Sequence, residues 1–289
     1  MRDFPIEATH FTLDGYRSNV TSQHGEDGIL AYLLDAYPGV PQICLEVGAC
    51  DGVKLSNTHS LWAKRGWRAL LIDQDTTALS RRFGHLPNLA IIKGSIAARG
   101  AASLDEMAKR LGFPQEIGVA SIDIDSFDYW VFAGLDYLKP AIAIVEFNPR
   151  IPVDVDYCDP EGTTFLRHSA AAVNRLAKQK GYRVVACTGP NAILVSEATI
   201  ATNPAAVPDL SINALFDHAY ARRFPRIVGT QFITDLPVYV RPPSLIMRGY
   251  GWVRYMGLTL RSAWRGKPKP VHTISPALRA HVERSGLWV

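Results

Sequence analysis

Between about Gly25 and Glu197 the chain alternates short, nearly continuous apolar runs with stretches whose apolar residues recur at helical spacing. "QICLEVGA", "RALLID", "NLAIIKGS", "EIGVASIDID" and "AIAIVEF" read as strands buried on both faces. Helices are predicted between them: "NTHSLWAKRG", closed by Gly66; "SLDEMAKRLG", with Ser103 at its N-cap and Gly112 past its end; and "YWVFAGLDYL". A longer helix, "TTFLRHSAAAVNRLAKQKG", is expected to be capped by Thr163 or Thr164 and to stop at Gly181. "YRVVACT" and "NAILVS" follow, separated only by the turn "GPN", which is too short for a crossover and makes the last strand antiparallel. The fold class is therefore α/β: a doubly wound, mostly parallel sheet of seven strands ending in an antiparallel β-hairpin. Beyond Ser196 the alternation stops and prolines multiply ("TNPAAVPDL", "RFPRIV", "RPPSL"). This divides the chain into an N-terminal arm (1–24), a core domain (25–200) and a C-terminal extension (201–289).

At 289 residues, 47% hydrophobic and 20% charged, the chain has the make-up of a globular protein with a sizeable core. Cys44, Cys50, Cys158 and Cys187 show neither a C-x-x-C pair nor zinc spacing, as expected of reduced thiols in a cytoplasmic protein. The first residues carry no apolar signal region, so secretion through a signal peptide is not expected. The net charge of +4 conceals an asymmetry: between Asp235 and Glu283 lie eight of the 31 basic residues and none of the 27 acidic ones. If helical from Trp252, the basic segment 241–269 puts Val253, Met256, Leu260 and Trp264 on one face and Arg254, Arg261 and Arg265 on the other. Such a helix suits packing on the core or on a second copy of the chain. It equally suits the inner face of an anionic membrane, an acidic glycan or a phosphate. No nucleic-acid motif accompanies the charge, so nucleic acid is not an expected partner.

In an open α/β sheet, ligands bind beyond the carboxyl ends of the strands. The polar residues that end the apolar runs should meet there. They are Glu46 with the loop Gly48, Ala49, Cys50, Asp51 and Gly52, then Asp73 with Gln74, Ser95, Asp123 and Asp125, and finally Glu146 with Asn148. Asp73 is placed to accept both hydroxyls of a ribose. A dinucleotide loop would carry G-x-G-x-x-G and set a pyrophosphate on a helix N-terminus. Here the run is E-x-G-x-x-x-G and holds Asp51, which repels phosphate and suits a cation. S-adenosylmethionine, with a sulfonium, an ammonium and no phosphate, fits this loop better than a nicotinamide dinucleotide. Asn57 is placed either to reach that cofactor's carboxylate or the acceptor, or to cap the following helix.

"SQHGEDGIL", "CLEVGACDGVKLSNTHSLW", "GWRALLID", "SIDIDSFDYW", "AIVEFN" and "GYRVV" with "NAILV" together resemble the FkbM-type class I methyltransferases, from roughly Ser22 to Ser196. The resemblance implies a Rossmann-like class I methyltransferase fold with S-adenosylmethionine as methyl donor. It implies that Glu46 to Gly52 wrap the methionine part of the cofactor, that Asp73 holds the ribose and that Ser95 borders the adenine. The sequence departs from the family at Asp73, where Glu is frequent, and at Cys50 inside the glycine loop. The implied acceptor is a hydroxyl of a small molecule or glycan: a sugar, a cell-surface saccharide or a natural product. "GEDGIL" either starts the first helix or closes over the cofactor, and His24 before it has no assigned role.

Methyl transfer needs an acceptor held in line and deprotonated. Asp123, Asp125 and Tyr129 have the spacing of the D-A-D-K-x-N-Y segment of cation-dependent O-methyltransferases, whose first Asp binds a metal. Glu146 and Asn148 end the next strand with similar oxygens. Asp123, Glu146 and Asn148 are thus candidate ligands for Mg²⁺ or another divalent cation. The alternative is that Asp123 and Asp125 contact the cofactor or cap the next helix. Without a metal, Asp125, Asp128 and His168 are the candidate bases, with packing or a solvent-facing position the alternative for His168. The leading expectation is an O-methyltransferase. Its rivals are a nicotinamide-dependent oxidoreductase, disfavoured by the loop, and a non-catalytic membrane- or glycan-associated binding protein on the same fold.

Overall fold

The structure, a computed structural model, describes residues 11–125 and 127–224. At its centre is one seven-stranded sheet of β1 (Ile43–Val47), β2 (Arg68–Asp73), β3 (Leu89–Lys93), β4 (Glu116–Ile122), β5 (Lys139–Glu146), β6 (Tyr182–Thr188) and β7 (Asn191–Ser196). The strand order is β3-β2-β1-β4-β5-β7-β6. Neighbours are parallel except at β7, which runs antiparallel to both β5 and β6. The expected doubly wound sheet with its terminal antiparallel hairpin is therefore observed. Around it lie α1 (Glu26–Ala36), α2 (Thr77–Phe83), α3 (Leu104–Arg110), α4 (Asp128–Ala133) and α5 (Ala170–Gln179). Three single-turn helices follow: α6 (Glu197–Ile200), α7 (Ile212–Leu215) and α8 (His218–Ala221).

Pleating sends alternate strand residues to opposite faces. From β2, Ala69 and Leu71 join α1 and Leu79 of α2 in one apolar cluster, while Leu70 and Ile72 join α3, α4 and α5 in the other. Cover on both faces is why these strands read as continuous apolar runs. Residues past 200 take part: Val207 is buried in the first cluster and Phe216 in the second. The basic segment 241–269 lies outside the described residues. Among the described residues no helix is long and apolar enough to cross a membrane.

Four elements differ from expectation: α2, between β2 and β3, was not expected, and α4 stops at Ala133 rather than running to Leu138. "NTHSLWAKRG" forms only a π-helical turn, Ser60–Lys64. The helix expected from Thr163 begins at Ala170 instead, and its cap is Ser169, whose Oγ accepts from Ala172 N at 3.1 Å. Tertiary hydrogen bonds override the local start signal. The buried Asp159 carboxylate takes the amides of Phe165, Leu166 and Arg167 on Oδ2 at 2.5, 2.8 and 2.7 Å. Its Oδ1 accepts from the Tyr157 hydroxyl at 2.5 Å. Arg167 adopts a left-handed φ of 66°, which breaks any helical run from Thr163 into Ala170.

Candidate active site

The loop after β1 is shaped by close backbone approach. Gly48 and Ala49 donate to Ile72 O at 2.9 and 3.1 Å, which ties the loop to the end of β2. Gly48 has φ 86°, and a Cβ there would stand 1.8 Å from the carbonyl oxygen of Asp123. Only glycine meets both demands. Cys50 is also left-handed, at φ 47°. Its amide donates to Asp73 Oδ2 at 2.8 Å, and Asp75 N donates to Oδ1 at 2.9 Å. Asp73 thus braces the loop with one lone pair of each oxygen and keeps the others for a ligand. Asp51 holds the turn by accepting from Val53 and Lys54 N, and these two bonds draw its carboxyl below the usual range. Gln74 and Ser95 are exposed at the ends of β2 and β3.

Glu46 and Asn57 point into the protein's own fabric. Glu46 is 3% exposed and accepts from Ser56 Oγ, Thr58 Oγ1 and Asn57 N at 2.6 to 2.7 Å. Burial pushes its carboxyl up while those three donors pull it back. Asn57 does not cap the π-helical turn. Its Nδ2 donates to Ser121 Oγ on β4 at 3.0 Å, a partner the sequence did not announce. "GEDGIL" does start α1, with Gly25 at the N-cap. Glu26, fully buried, accepts from Thr188 Oγ1 and Asn191 Nδ2 at 2.7 and 2.9 Å and so ties α1 to the β6–β7 hairpin. Asp27 Oδ2 accepts the amides of Val20, Thr21 and Ser22, each at 2.8 Å.

At the ends of β4 and β5 three carboxyls converge. One oxygen each of Asp123, Asp128 and Glu146 lies within 4.8 Å of the others. Two bare charges at that separation repel by about 3 kcal/mol at an effective dielectric of 20. The group must therefore hold protons, a cation or both. Arg167 supplies one positive charge, with an Nη 2.5 Å from Glu146 Oε2 and 3.2 Å from Asp125 Oδ1. Burial, and then the charge of Asp125, raises Asp123; burial, and then the charge of Asp123, raises Glu146; Arg167 pulls both back. Asp128 accepts from Ile124 N at 2.7 Å, and burial pushes its carboxyl to about 7. These groups titrate near neutrality, the range a general base needs.

Two candidates fall outside this group. Asn148, just past the end of β5, has its Nδ2 donating to Leu166 O and its Oδ1 accepting from Arg150 N, both at 3.0 Å, while Asp128 joins Asp123 and Glu146 in the group. His168 is 2% exposed, its Nε2 bonds the backbone oxygen of Glu146, and burial drives it to about 4, so it packs and serves as no base. Asp125, left-handed at φ 60°, has a side chain 91% exposed, pairs with Arg167 at 3.2 Å and acts on the group through its charge. Sequence reasoning missed Arg167 and the Asp159 that positions it. The Asp159-Pro160 pair marks a turn, but no local pattern marks Arg167.

No protein-family model and no curated protein matches the chain. Solved structures align with it at low identity. The CMeT domain of citrinin polyketide synthase matches at 13% identity over 54% of this chain and 46% of its own, with a TM-score of 0.36. An amino pentose methyltransferase from Micromonospora echinaspora, solved with S-adenosylmethionine bound, matches at 11% over 59% and 88%, TM-score 0.37. A hemolysin-named protein from Lactococcus lactis matches at 13% over 68% and 96%, TM-score 0.39. The chain thus spans about half the length of the first of these, and at such scores the likeness assigns no activity.

Proposed function

We propose that this chain is an S-adenosylmethionine-dependent O-methyltransferase acting on a hydroxyl of a small molecule or glycan. One observation carries the reading: the glycine loop and the carboxyl group share a wall, since Gly48 packs on the backbone of Asp123. A cofactor seated on that loop would lie against the carboxyls that accept the acceptor's proton. The residues fit the cofactor. Left-handed Gly48, Cys50 and Gly52 leave the loop backbone approachable, Asp73 keeps lone pairs for a ribose, and the acidic edge favours a cation over a pyrophosphate.

When bound, S-adenosylmethionine supplies an electrophilic methyl group on a positive sulfur. The chain's own residues do the rest. Asp123, partly exposed at the group's rim, takes the proton of the hydroxyl and becomes neutral, which relieves its repulsion with Glu146 and Asp128. Arg167 keeps the cluster from filling with protons. Asp159 keeps Arg167 in place. Calorimetry with S-adenosylhomocysteine tests the reading: the wild type is expected to bind, and Asp73→Ala to bind at least about tenfold more weakly. No binding by the wild type rejects the cofactor.

A divalent cation is a second occupant of the same carboxyls, favoured by the 4.8 Å grouping and by hard oxygen donors. Methyl transfer unchanged by EDTA removes it. The basic segment 241–269 is proposed to contact a membrane face, the acceptor or a second copy. Vesicle binding unchanged on deleting residues from Leu245 onward removes the membrane.

A further inference from the structure

A cavity of about 390 Å³ opens between the N-terminal arm and α8, with Arg17, Asn19, His24, Asp217, Tyr220 and Arg223 in its wall. It stands at the carboxyl edge of the sheet, beside the β6–β7 turn. His24 packs where a Cβ on Gly189 would lie, 2.7 Å from the ring, and Gly189 N donates to Asp217 at 3.3 Å. The same turn adjoins the carboxyl group: Glu146 pairs with Asn191, and Phe147 N donates to Pro190 O at 2.7 Å. Burial and then the charge of Glu146 raise the Tyr220 phenol, which places this wall within electrostatic reach of the acids.

One cation of the wall is left without an ion pair among the described residues. Asp217 is engaged by the Arg17 guanidinium and by Tyr220 N, both at 2.8 Å, and Arg17 pairs also with Asp14. Arg223 has no carboxylate partner among the described residues; its guanidinium lies 5.6 Å from the Tyr220 ring centroid. Two buried nitrogens of the wall, Arg17 Nε and His24 Nε2, lack a hydrogen-bond partner among the described residues, although buried polar groups are nearly always satisfied.

We propose that this cavity receives an anionic group, a phosphate or a carboxylate, carried by the molecule whose hydroxyl is methylated, with Arg223 as its charged anchor. Asn19 at the rim, and His24 in the wall as its Nε2–H tautomer, add neutral donors. Calling the occupant an acceptor rests on the methyltransferase reading; the preference for charge does not.

Calorimetry on the full chain with glucose, glucose 6-phosphate and glucuronate tests it. At least one anionic sugar is expected to bind about tenfold or more tighter than glucose, and the better one names the group. Arg223→Gln should abolish that preference and Arg223→Lys retain part of it. Unchanged thermal unfolding in both variants shows that the fold is intact. Glucose binding as tightly as both anions, no binding by any of the three, or a preference that survives Arg223→Gln overturns the proposal. Failure of S-adenosylhomocysteine to bind is a separate result that overturns the cofactor reading and leaves the charge preference standing.

Discussion

At the scale of single residues, the molecule concentrates unusual backbone where its loops meet. Among the described residues, four non-glycine residues have positive φ: Cys50, Leu55, Asp125 and Arg167. All four lie in the loops that follow β1, β4 and β5. Such conformations cost on the order of 1–3 kcal/mol each and persist only where surroundings enforce them. Gly48→Ala adds a like strain and a Cβ 1.8 Å from a carbonyl oxygen. It should destabilise by on the order of 2–4 kcal/mol in urea unfolding and abolish S-adenosylhomocysteine binding.

Asp128 gives a pH signature. Its folded value of about 7 stands above the ordinary 3.8. The stability it contributes is therefore complete below the unfolded value and is lost as pH rises through 7. His168, lowered to about 4 from 6.5, acts oppositely: its contribution is present above 6.5 and lost as pH falls through 4. Asp128→Asn resembles the protonated acid, can still accept from Ile124 N and leaves His168 unchanged. In EDTA, the wild type should lose more thermal stability than this variant between pH 5.5 and 8. Equal losses would show that Asp128 is already ionised at the lower pH.

At the scale of elements, caps and pins outweigh local sequence signals. Ser103 was legible as a cap and is one, accepting from Glu106 N. Thr163 was as legible, yet its hydroxyl donates to Pro160 O and caps nothing helical. The difference is Arg167, whose left-handed φ of 66° interrupts a helix from Thr163, in a turn gathered on the Asp159 carboxylate. Ser169→Ala should cost about 1 kcal/mol, and Thr164→Ala only a few tenths. Asp159→Ala strands three amides and a hydroxyl and should cost roughly 3 kcal/mol or more, with loss of the Arg167–Glu146 contact. Chemical denaturation of the three variants checks the ranking.

At the scale of the whole molecule, the sheet sets both stability and site. β4 and β5 are flanked on both sides and buried almost throughout, whereas β3 is an edge strand of intermediate burial. Amide exchange should be slowest in β4 and β5 and markedly faster in β3. The reversal of strand order between β1 and β4 brings the Gly48 loop against Asp123, residues far apart in sequence.

The sequence by itself determined the seven strands, their burial on both faces, the antiparallel end and the carboxyl edge where polar residues collect. These follow from periodicity and chain connectivity, which are local properties. It named Asp123, Asp128 and Glu146 and grouped Asp123 with Glu146, but it did not add Asp128 to that pair. Tertiary structure alone decided that Glu46 faces Ser56 and Thr58, that Asn57 reaches Ser121, and that Arg167 stands over Glu146. Each of those outcomes depends on which distant donor satisfies a buried acceptor, and desolvation makes that choice only when the chain is folded.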